Sequence, residues 1–206
     1  MDFIDAPVTR QRIVFTHRSP ERVAGELFVA PGGFVPLHVH ASQVERFEGV
    51  AGELRLRSGR SRRTLGAGDS VRIEAGVAHG FRNVGPVVAH FLIELMPPCR
   101  GEEGLRTLFG LRRDRRVRLT RLGLLLPLLQ VAVLFGEYLD EVHLPFVPFR
   151  AQRLIFRLLG GLGRRLGYTA FFPEYQPRGC ETCIASTATE RASRPFRRRQ
   201  RGRRNG

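Results

Sequence analysis

His38 and His40 stand one residue apart in GFVPLHVHASQVERFEGVAG, residues 33–52, and Glu45 follows after four more residues. In a strand, residues i and i+2 point the same way, so the two imidazoles share one face. Glu45 comes after a four-residue bend and can return to that face from the next strand. Two imidazoles and a carboxylate form a ligand set that suits Fe, Mn, Ni, Cu or Zn. Alone, a His-x-His pair is as readily an accident of strand alternation. A third imidazole strengthens the case, and His79 offers one in GVAHGFRN, after the turn at Gly76.

These residues need strands to hold them, and residues 7–97 read as β structure. GELFVA, GELRLR, DSVRIEA and VVAHFLIEL are short runs rich in Val, Ile, Leu and Phe. Turn signals separate them: PGG at 31–33, SGRS at 58–61, LGAGD at 65–69 and NVGP at 83–86. Strand-sized pieces at this spacing predict an antiparallel sandwich or barrel. In GELRLRSGRSRRTL, apolar and arginine positions alternate, as they do in a strand with one face in water.

After Pro97-Pro98 the pattern becomes helical. The periodicity predicts helices over about 102–111, 127–142 and 150–166. In the second, Leu128, Val131, Phe135, Leu139 and Val142 form an apolar stripe, with Pro127 in the first turn. In the third, the stripe is Leu154, Ile155, Leu158, Leu159, Leu162 and Leu166, set against Arg153, Arg157, Arg164 and Arg165, with Gly167 as the expected cap. Both stripes are expected to pack on protein. The uncharged run at 122–136 is shorter than the roughly 20 residues that span a bilayer, so a packed helix is preferred to a transmembrane one. The expected organisation is therefore a β-barrel over 1–98, a helical extension over 99–183 and a disordered basic tail over 184–206.

Length and composition allow one good domain with an appendage. All 34 basic residues are arginine, and the net charge is +15. The excess is uneven: residues 191–206 carry 8 Arg and no acid, whereas residues 1–98 carry 12 Arg and 10 acids. The high charge thus says little about the folded part, and the tail reads as a solvated segment. Cys99, Cys180 and Cys183 are too few for a disulfide framework. Cys180-x-x-Cys183 is half a zinc site with no second pair to complete it, so free thiols are expected. The N-terminal residues lack the apolar run of a signal peptide. A cytoplasmic setting is expected, with membrane association through the helices as the alternative.

On these residues the chain resembles the cupin superfamily. The family's first motif is a glycine, five residues, His-x-His, three or four residues, Glu, six residues and Gly, met here by Gly32, His38, His40, Glu45 and Gly52. The second runs Gly, five residues, Pro-x-Gly, two residues, His, three residues and Asn, met by Gly68, Gly76, His79 and Asn83, with Glu74 in place of proline. The resemblance covers about residues 20–97. It implies a single six- to eight-stranded antiparallel jelly-roll barrel with His38, His40, Glu45 and His79 as ligands of one divalent metal ion. Three neutral donors and one carboxylate would leave that ion with net charge +1 and open positions for substrate or O2. Residues 90–175 also resemble a C-terminal extension found on a group of bacterial cupin-domain proteins, a likeness that carries no activity.

The expected function is binding or transformation of a small organic molecule at the metal, oxygenase- or isomerase-like, with no general base to name. The alternative is a non-catalytic ligand-binding or sensing protein whose helices couple occupancy to a partner. By alternation Phe47 and Phe81 either line the cavity or pack the core, with packing preferred. His90 is expected to be satisfied locally. The helices are expected to cover the barrel mouth or to mediate a homodimer. Nucleic acid is not an expected partner, and a membrane contact is the less favoured role for the helices.

Overall fold

A computed structural model describes residues 2–98, 100–114 and 125–176. Cys99, Cys180, Cys183, residues 115–124 and the arginine-rich tail lie outside the described residues, so the expectations placed on them are untouched. The described residues up to Tyr175 form one compact unit.

The β region contains β1 (Phe3–Ala6), β2 (Gln11–Arg18), β3 (Val23–Val29), β4 (Phe34–His40), β5 (Val44–Ala51), β6 (Leu54–Ser58), β7 (Ser61–Leu65), β8 (Ser70–Ile73), β9 (His79–Arg82) and β10 (Ala89–Met96). A further short strand, β11 (Val142–His143), comes from the helical region. They form two sheets, ordered β1-β2-β3-β10-β5-β8 and β11-β4-β9-β6-β7. Every pairing is antiparallel. This is the expected cupin jelly roll, enlarged by β1 and β2 at one edge and β11 at another.

Alternation decides which side chains fill the space between the sheets. On β6, Leu54 and Leu56 are buried while Arg55 and Arg57 are exposed. On β8, Val71 and Ile73 turn inward. With Leu27, Val29, Phe47, Leu65, Phe81, Ala89 and Phe91 they make one apolar cluster. Burying a Leu or Phe side chain this completely contributes about 1.5–3 kcal/mol.

One irregularity matters for the site. Val35 pairs with Phe81 and His38 with His79, so Pro36 and Leu37 together face the single residue Gly80. This bulge lets Val35 pack against the core while His38, three residues on, still turns inward. Gly80 is required opposite it: a Cβ there would come within 2.8 Å of the Val35 carbonyl oxygen.

The helices are α1 (Gly101–Arg113), α2 (Leu125–Tyr138) and α3 (Phe149–Arg165), followed by a 3-10 turn at Pro173–Tyr175. Glu102 and Glu103 stand in the first turn of α1, where the helix dipole favours acids. Arg106 of α1 reaches back to Asp2 at 2.8 Å, tying the helices to the N-terminal strand. The Tyr138 hydroxyl donates to Glu103 at 2.6 Å and joins α2 to α1.

Three details depart from the periodicity. The second helix stops at Tyr138 rather than near 142, because Val142 and His143 instead pair with His40 and Val39 at the edge of β4. That edge offers unpaired backbone groups, and extending the chain along it satisfies them. The buried face of α2 is Leu129, Gln130, Ala132, Val133 and Leu134, whereas Leu128 and Phe135 of the expected stripe are exposed. On α3 the inversion is larger. Gln152, Gly160 and Gly163 are its buried residues, while Leu154, Ile155, Leu158, Leu162 and Leu166 face solvent. Close approach explains the choice: a Cβ on Gly163 would lie 3.0 Å from the Leu129 carbonyl oxygen of α2, so the two backbones meet where no side chain stands. Gln152 then fastens the preceding loop by accepting from the Leu144 amide and donating to the Leu144 and Val147 carbonyls. Gly167 takes a left-handed φ of 88° just past the helix, as its cap role requires. No helix among the described residues is long and apolar enough to cross a membrane.

Candidate metal centre

The four residues singled out by spacing come together. His38 and His40 lie on β4, His79 opens β9 beside them, and Glu45 reaches across from β5 of the other sheet. One donor atom from each lies within 4.8 Å of all the others. The Nε2 atoms of His38 and His40 are 3.2 Å apart. Glu45 Oε2 is 2.7 Å from Nε2 of His79 and 3.7 Å from Nε2 of His40.

The rings are oriented from behind. Nδ1–H of His38 donates to the Pro36 carbonyl at 3.0 Å, and Nδ1–H of His79 to the Val77 carbonyl at 2.8 Å. A backbone acceptor on Nδ1 turns Nε2 toward the centre, the second-layer arrangement typical of metal-binding histidines. The Pro36 carbonyl is available because the bulge places it there. Nδ1 of His40 is buried and has no hydrogen-bond partner among the described residues.

Burial sets the protonation states. It lowers His38, and it lowers His40 to about 4, against the raising effect of the Glu45 charge. Both rings are therefore neutral and carry a lone pair at neutral pH. Burial raises the Glu45 carboxyl, but the His79 hydrogen bond and the electrostatic interaction with the neighbouring imidazoles outweigh it and hold the group below its ordinary value. Burial lowers His79, yet its hydrogen bond to Glu45 and that carboxylate's charge raise it above its ordinary value.

This donor set fits a divalent cation. Nε2 of His38 and Nε2 of His40 lie 3.2 Å apart, within hydrogen-bond distance of each other, and both point to the place a cation would take. Three of the separations, 2.7–3.7 Å, are near those of neighbouring donors around one ion at about 2.1 Å, and the group as a whole lies within 4.8 Å.

Other candidates fall elsewhere. Phe47 and Phe81 belong to the core cluster and meet edge-on at 5.7 Å, so packing is their role. His90 pairs with Glu26 at 2.8 Å and stacks on Phe28, outside the four-residue group. Asn83, the last motif position, is fully buried and works structurally: its amide donates to the Val29 and Val87 carbonyls and its oxygen accepts from the Gly85 amide. A shallow groove lined by Phe34, Leu37, Arg55, Arg57, Arg62 and Arg82 contains none of the four. Sequence reasoning missed Gln43. It is buried in the bend joining β4 to β5, and its Oε1 has no partner among the described residues. A polar residue two positions before Glu45 in so short a bend was the available signal.

A family model described as "Cupin domain" matches residues 25–93, about a third of the chain. No curated protein matches. Among solved structures, TT1209 from Thermus thermophilus is 24% identical, over 43% of this chain and 84% of that one, with a TM-score of 0.42. KdgF from Halomonas sp. is 17% identical, over 50% and 91%, with a TM-score of 0.46. An RmlC-like cupin from Shewanella frigidimarina NCIMB 400 is 19% identical, over 46% and 82%, with a TM-score of 0.43. The segment that matches the cupin domain model, residues 25–93, contains both motifs and all four converging side chains.

Proposed function

We propose that the chain holds a single divalent metal ion through His38, His40, Glu45 and His79 and uses it to bind and transform a small organic molecule, in an oxygenase- or isomerase-like reaction. The observation that carries this is the convergence of four donor atoms within 4.8 Å at the end of an otherwise apolar core.

A bound divalent ion supplies Lewis acidity there and, if redox-active, electron transfer. The chain's own residues do the rest. The Pro36 and Val77 carbonyls fix two rings with Nε2 inward. The single carboxylate of Glu45 offsets part of the ion's charge, leaving a net positive centre that favours an anionic or carbonyl-bearing ligand. Phe47 and Phe81 continue the faces of Glu45 and His79 and keep water from behind the site. No fifth His, Cys, Asp or Glu joins the group among the described residues.

The test is metal analysis of untagged protein, followed by turnover assays with small carbonyl and hydroxy compounds with and without O2. A single bound ion that is lost in His79→Ala supports the proposal. Protein that stays metal-free after incubation with Mn, Fe, Ni, Cu and Zn overturns it.

A ligand-sensing role is favoured by one observation. β11 lies between α2 and α3 in the chain and pairs directly with β4, with Val142 opposite His40. Displacement of the helices would therefore be felt at a donor residue. Ligand-induced stabilisation without turnover would support that role.

A further inference from the structure

The most conspicuous unassigned surface is α3. Its residues fall into three faces. Gln152, Gly160 and Gly163 are buried, the two glycines lying against α2. Leu154, Leu158, Leu162 and Leu166, each four residues apart, form an outward ridge with Ile155; Leu158 is 64% and Leu154 57% exposed. Arg150, Arg153, Arg157 and Arg164 run along the side next to that ridge, with Arg165 at its end, and all five are exposed. The helix has no acid.

An apolar ridge bordered by arginines needs a partner that is apolar inside and negative at its rim. A second copy of this helix supplies the apolar half of such a partner but no acid for the rim, since the helix carries none. Neither can the helix pass through a bilayer, since no described helix is long and apolar enough. We propose that α3 lies in the surface of an anionic membrane, its leucine ridge among the acyl chains and its arginines at the lipid phosphates. Arg153 and Arg164 are paired with Asp140 and Glu137, which still leaves the flank positive. This places the protein on the membrane without making it a spanning one, and it is independent of whether the barrel holds metal.

The experiment uses the full chain. It has no tryptophan, so Leu158→Trp installs a single fluorescent reporter on the ridge. Sedimentation is measured with vesicles of phosphatidylcholine alone and with about one third phosphatidylglycerol, the anionic component the arginines require. The expected result is sedimentation with the anionic vesicles only, together with a blue shift of the indole reporter's emission. Leu154→Glu/Leu158→Glu should weaken binding by about a hundredfold, roughly tenfold for each leucine that no longer leaves water. Should that double variant fail to fold, the reporter shift decides alone. Three results overturn the proposal: no sedimentation, sedimentation with an unshifted reporter (binding by the basic tail only), or a dimer broken by the double variant in a protein that ignores vesicles.

Discussion

The barrel interior and α3 invert the usual distribution of side chains in opposite senses. Between the sheets, four polar groups are gathered beside Phe47, Ile73 and Phe81, where apolar side chains would cost less. On α3 and its cap residue Leu166, five large apolar side chains face water, where polar ones would cost less. Each inversion is tolerated because the local backbone is held by something else: the Pro36–Leu37 bulge in one case, the glycine contact with α2 in the other. A fold keeps such arrangements when a ligand completes them. The difference teaches which ligand to look for, a cation in the first place and a soft anionic surface in the second.

The comparison breaks most readily at the donors. His79→Ala should lower metal affinity by at least the roughly 10–100-fold typical of losing a supporting residue, because a direct donor is removed; calorimetric titration with Zn2+ or Mn2+ measures it, and unchanged affinity would break the barrel half. Phe47→Ala should cost about 3–5 kcal/mol in chemical denaturation, since it empties a fully buried core position. Saturating metal should raise stability by about 2.7 kcal/mol at a hundredfold excess over Kd, reversed by EDTA. Gly80→Ala should cost about 1–3 kcal/mol through crowding at the bulge and weaken metal binding with it, because His38 takes its orientation from the same bulge. Leu158→Gln should change stability by less than about 0.5 kcal/mol. That smallest effect sharpens the contrast, since a leucine needed for packing would show a loss of several kcal/mol.

Much of the site was legible because it is local. His38, His40 and Glu45 lie within eight residues, and β-strand alternation nearly suffices to aim them. The alternation of Leu54 and Leu56 with Arg55 and Arg57 likewise reads directly as one wet and one dry face. What alternation misses is the bulge, since Val35 and His38 share a direction only because Gly80 faces two residues. Helical periodicity located α3 but assigned the wrong face to the interior. The rule that apolar stripes are buried takes no account of glycines, which offer no side chain but allow the closest backbone contact. The strand at Val142–His143 was invisible for a different reason: its only stimulus is the open edge of β4, more than a hundred positions earlier.

That pairing has a consequence for how the protein is made. While the chain is being synthesised, β4 emerges early and its outer edge stays open until the ribosome has delivered α2 and the residues just after it. An edge left open in that interval is a template for association with another nascent chain. A shortened gene ending at Pro98 would make the condition permanent, so crowding-dependent clumping, rather than any defect in the histidines, is what such a fragment should display.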